Sequence, residues 1–114
     1  MPEPYYTHEE DDFRVDILVG TDDPGTLDDA DIEVRLLPAG TRYSASVMTV
    51  DVIRRIMDHH ARSGESLGGR YLLIPDLLIL RRGGVKEIVD VIRDLVRADN
   101  IDGVLPRLRD DDDL

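Results

Sequence analysis

The chain has 114 residues, the length of one small domain, and its 41% hydrophobic content includes no Trp and a single Phe, so one aliphatic core is expected. The absence of Cys excludes disulfides, thiol nucleophiles and cysteine metal sites, and no apolar run reaches the roughly 18 residues of a membrane span. The net charge of -11 is uneven: residues 1–31 set eleven acids against Arg14, residues 32–109 set ten acids against thirteen bases, and positions 110–113 are all Asp.

Residues 1–11 include Pro2, Pro4, Tyr5, Tyr6, Glu9 and Glu10 without periodicity, and are expected to form a mobile acidic arm. From Phe13 the chain alternates, with Phe13, Val15, Ile17 and Val19 on one side, the period of a half-buried strand. The alternation returns at Ile32, Val34 and Leu36, after a polar loop turned by Pro24 and Gly25 and crowded with Asp22, Asp23, Asp28, Asp29 and Asp31. Turn residues at positions 37–41 lead into Tyr43, Ala45 and Val47, so three strands should form a meander.

Thr49 is placed to cap a helix carrying Asp51 in its first turn and Ile53, Ile56, Met57 and His60 on one face, ended by Ser63 and Gly64. Positions 71–80 are the most apolar stretch, and Pro75, unable to donate to a sheet ladder, predicts two short strands folded back at Pro75-Asp76, with one bulged strand as the alternative. After Gly83-Gly84, a wide stripe of Val85, Ile88, Val89, Ile92, Leu95 and Val96 predicts a second helix to about Ala98. The order β-β-β-α-β-β-α points to an α+β two-layer sandwich, a mainly antiparallel sheet with two helices on one face. Residues 12–109 would form this single domain, and residues 110–114 an acidic tail.

Few residues carry specific chemistry. The segment from Asp22 to Glu33 is rich in carboxylates, but a calcium loop starting at Asp22 needs oxygen ligands and a Gly where Pro24, Thr26 and Leu27 stand. His59 and His60 point about 100° apart on a helix and do not share a metal; His60 is expected at the core edge and His59 in solvent. The serines lack a nucleophile elbow, and the Gly64, Gly68, Gly69 and Gly83, Gly84 runs match no phosphate-loop pattern and read as flexible connectors. Arg54, Arg55, Arg62, Arg70, Arg81 and Arg82 suggest nucleic acid, against which stand the acidic ends and the scarcity of aromatic stacking residues. These arginines are instead suited to receive an acidic segment of the same chain or of a second copy.

The expected function is a non-enzymatic protein-binding module of immunity or antitoxin type. Its partner would be a basic protein, met through Glu9, Glu10, Asp11, Asp12, Asp22, Asp23, Asp28, Asp29 and Asp31. No catalytic residue, metal or cofactor is expected. The alternative is a homo-oligomeric assembly, with residues 71–80 as an interface strand, or a small-ligand-binding domain. The first residues lack the basic and apolar regions of a secretory signal, so a soluble cytoplasmic protein is expected. Thirteen Arg to one Lys and nineteen Asp to six Glu also fit GC-rich coding or a salty cytoplasm.

Overall fold

The computed structural model describes residues 4–98 and 101–108. Within them the chain forms a two-layer α+β fold built on one six-stranded, mainly antiparallel sheet. The strands are β1 (Tyr5–Glu9), β2 (Phe13–Leu18), β3 (Asp29–Leu36), β4 (Arg42–Thr49), β5 (Leu77–Leu80) and β6 (Arg107–Leu108). The first five lie side by side in chain order, and β6 pairs with β4.

The expected meander is β2, β3 and β4, and its register follows from the alternation. Val15 faces Val34, which faces Tyr43, while Ile17 faces Ile32, which faces Ala45, so all six side chains enter one core face. A one-residue slip would place Arg14, Glu33 and Ser44 there instead. On the opposite face Arg14 meets Asp16 at 3.3 Å and Arg42 meets Glu33 at 3.2 Å.

Helix α1 (Val50–Ser63) starts where expected: the Thr49 hydroxyl accepts from Val52 N–H at 3.2 Å. It ends at Gly64, whose φ of +89° lets its N–H return to the His60 carbonyl. Only Val52 of this helix is buried, and its other apolar residues are half-buried or exposed. Helix α2 (Glu65–Gly69) is one left-handed turn, with Ser66, Leu67 and Gly68 all at positive φ. It folds the chain back onto α1 so closely that a Cβ at Gly69 would lie 2.2 Å from the Met57 carbonyl oxygen. Helix α3 (Val85–Arg97) is the main cover of the sheet, burying Val85, Ile88, Val89 and Ile92 in the cluster made by Phe13, Val15, Ile17, Val34 and Tyr43.

Three expectations are corrected. Residues 5–9, read as part of a mobile arm, form β1, a sheet edge running antiparallel to β2 and closed by Val19 and Gly20 N–H groups on the Pro4 carbonyl. The strand is almost wholly exposed and lacks apolar alternation, the signal by which strands are recognised. Residues 71–80 contain one strand rather than two: Pro75 and Asp76 turn the chain, and only Leu77–Leu80 pairs, parallel to β4. The crossover through α1 brings the chain back in the same direction, so a parallel strand results. Neither glycine run is the flexible connector expected: residues 65–69 form α2 packed on α1, and Gly83-Gly84 is a packed junction. A Cβ at Gly83 would stand 2.6 Å from the Leu27 carbonyl oxygen and one at Gly84 2.8 Å from that of Gly25. The acidic tail at 110–114 lies outside the described residues.

Candidate functional site

The nine acids expected on a docking surface fall into two groups at opposite ends of β2, a strand of six residues and hence about 17 Å long. Glu9, Glu10, Asp11 and Asp12 lie at the β1–β2 turn, and Asp22, Asp23, Asp28, Asp29 and Asp31 lie in and after the loop leading to β3.

In the first group Glu10 is turned inward. Its carboxylate accepts from Arg93 Nε at 3.0 Å and from Arg97 at 2.9 Å, and it lies 2.6 Å from His8 Nε2. The Arg93 hydrogen bond foremost, then that of His8, lowers its pKa from 4.5 to about 2. Asp12 stands 3.8 Å from Arg97, and Arg93 also holds Asp90 at 2.9 Å. This turn is therefore a clamp that fastens the β1–β2 hairpin to α3. Glu9 and Asp11 remain exposed beside it. Nothing in the sequence marks the pairing, since Glu10 and Arg93 are 83 positions apart.

The second group has few bases within reach. Asp22, Asp29 and Asp31 line a shallow depression of about 290 Å³ together with Leu18 and Gly20. Asp29 is held above the usual carboxylate range, first by partial burial and then by Asp28, Asp31 and Asp22. Asp31 accepts from the Ser46 hydroxyl at 3.1 Å, and Asp23 caps the 3-10 turn Pro24–Thr26 through the Gly25 N–H. Among the described residues only Asp28 of this group meets an arginine, Arg55 at 2.7 Å. Beside the depression the exposed Leu18 pairs with the exposed Tyr5, so apolar surface adjoins the carboxylates on the open face of the sheet.

Across Asp28 lies a second feature that sequence reasoning left unassembled. A cleft of about 660 Å³ is lined by Arg54, Arg55, Arg81 and Arg82, with Asp28, Asp51 and Thr49. It opens at the carboxyl ends of the parallel strands β4 and β5, which finish at the paired residues Thr49 and Leu80. Arg54 approaches Asp51 at 3.5 Å, whereas Arg81 and Arg82 are exposed and form no ion pair among the described residues. The expectation that arginines receive an acidic segment of the same chain holds for Arg55. Arg62 and Arg70 lie outside the cleft.

His60 is half-buried, its Nε2 3.4 Å from Glu65, and His59 is exposed as expected. Among the described residues no group of three or more His, Asp or Glu is placed to hold a metal ion, and no helix is long and apolar enough to cross a membrane. No protein-family model, curated protein or solved structure matches this chain.

Proposed function

We propose that the protein is a small non-enzymatic docking module, of immunity or antitoxin type, that binds a basic protein through the acidic end of its sheet. The observation that carries this reading is the crowding at Asp29, where four carboxylates converge with one arginine among them. Like charges so placed repel one another in the free protein, and a cationic surface relieves that repulsion on contact. The docking residues are Asp22, Asp29 and Asp31, with Leu18 and Tyr5 as the adjoining apolar contact. Glu9 and Asp11 extend the same sign of field at the far end of β2, whereas Glu10, Asp12 and Asp28 are engaged by this chain's own arginines.

Affinity capture from a nuclease-treated lysate of the source organism, in low and high salt, tests the proposal when wild type is compared with the triple variant Asp22→Asn, Asp29→Asn, Asp31→Asn. One basic protein should be retained by wild type at low salt, released by high salt and lost from the variant. Equal retention of the same protein by both would reject the assignment.

A second reading, self-assembly, is favoured by a different observation. After α1 the chain exposes Leu67, Tyr71 and Leu73, the last 84% exposed. Sedimentation in high salt distinguishes the two: a dimer dispersed by Leu73→Ser supports assembly, and a monomer at all concentrations leaves acidic docking alone.

A further inference from the structure

We infer that the arginine cleft is a binding site for a small ligand bearing a dianionic phosphoryl group. The charge of the lining is the first argument. Four guanidinium groups face two carboxylates, so the cleft keeps two positive charges in a protein whose formal charge is -11. Arg55 and Arg54 are occupied by Asp28 and Asp51, which leaves Arg81 and Arg82 to meet the ligand. Planar guanidinium groups take phosphoryl oxygens in pairs, a geometry that a lone ammonium does not offer.

Position is the second argument. The cleft lies beyond the carboxyl ends of two adjacent parallel strands, the place where open α/β units receive ligands because the following helix begins there. Helix α1 begins in the wall, with Thr49 and Asp51 both lining it, so the positive end of the helix adds to the arginine field. Size is the third. At about 660 Å³ the cleft falls within the range of small-molecule sites, roughly 300–1,000 Å³.

The walls are held by packing rather than by the ligand. Gly84 N–H donates to the Leu27 carbonyl at 2.6 Å, and the contact of Gly83 with the same carbonyl locks the Pro24–Thr26 turn against the exit of β5. Arg81 and Arg82 leave β5 at this junction, and both enter the lining although they are adjacent in sequence.

The test is titration of the full chain with pyrophosphate, followed by amide NMR shifts and by calorimetry at low ionic strength. Saturable shifts should centre on residues 51, 82 and 83, and Arg81→Ala and Arg82→Ala should each weaken binding by about tenfold, the scale of one hydrogen bond to a charged group. Because both side chains are exposed and unpaired among the described residues, their variants should melt with the wild type. The double variant Arg62→Ala, Arg70→Ala removes outside the cleft the same two charges that the double variant Arg81→Ala, Arg82→Ala removes inside it, and should bind pyrophosphate as the wild type does. Equal weakening by the two pairs of substitutions, or no saturable binding, would overturn the inference. A short single-stranded oligonucleotide binding more tightly than pyrophosphate would also overturn it, in favour of a nucleic-acid surface. The triple Asp variant used to test protein docking leaves all four arginines in place, so the two proposals fail independently.

Discussion

Replacement of Gly84 by alanine tests whether the Gly83-Gly84 junction is a lock between the acidic loop and the exit of β5. Gly84 has φ of +104°, where a side chain adds about 1–2 kcal/mol of backbone strain. Its new Cβ would stand 2.8 Å from the Gly25 carbonyl oxygen, and the displacement needed would stretch the 2.6 Å hydrogen bond from Gly84 N–H to Leu27. Losing that bond at a buried residue adds about 1–3 kcal/mol. The sum, about 2–5 kcal/mol, corresponds to a fall in Tm of about 8–20 °C for a chain of this size. Gly20→Ala is the control, because Gly20 also has positive φ, +63°, but nothing lies within 4 Å of its added Cβ. That variant should lose about 1 kcal/mol, or about 4 °C. Thermal denaturation followed by circular dichroism at pH 7 reads both. Equal melting of the two variants would refute the lock and leave backbone strain as the whole effect.

Other consequences concern charge and core. Glu10→Gln should lower Tm at pH 7 but have little effect near pH 2. The native carboxyl titrates at about 2 against 4.5 ordinarily, so its contribution is complete above pH 4.5 and disappears as pH falls toward 2. Asp29→Asn should act in the opposite sense. Its native pKa is raised, so the ionised form opposes folding, and the variant should gain up to about 0.5 kcal/mol at pH 7, a gain that fades on acidification through that raised pKa. Thermal melts across pH separate the two signs. Ile92→Ala, at a fully buried position of α3, should cost about 2–5 kcal/mol in urea denaturation, and a loss below 1 kcal/mol would contradict the packing of this helix on the sheet.

The second acidic group and the arginine cleft meet at Asp28, whose ion pair with Arg55 lies between the acids and the other arginines. Folding thus redistributes a charge that is divided along the chain into three blocks. The acids of the β1–β2 turn become partly structural through α3, while Asp22, Asp29 and Asp31, in and after the loop leading to β3, keep an outward field. On the two proposals made above, a basic protein and a phosphorylated ligand would meet different sides of one ion pair.

The sequence alone determined the parts whose physics is local. Alternation at Phe13, Val15 and Ile17, and again at Ile32 and Val34, was sufficient for two strands and for the face each buries. Thr49 and Gly64 marked both ends of α1, because a hydroxyl before the first turn and a glycine after the last satisfy groups within a few residues. The stripe from Val85 to Val96 identified α3. Tertiary structure decided whatever depends on residues distant in the chain. Edge strand β1 has little apolar pattern because it buries little, so pairing with β2 is what makes it a strand. The direction of β5 follows from the crossover through α1, and the need for Gly83 and Gly84 follows from two carbonyl groups almost sixty residues earlier. The nine acids looked alike in sequence. Whether a carboxylate meets an arginine or another carboxylate depends on which loops the sheet brings together, so Glu10 became a clamp while Asp22, Asp29 and Asp31 kept their repulsion.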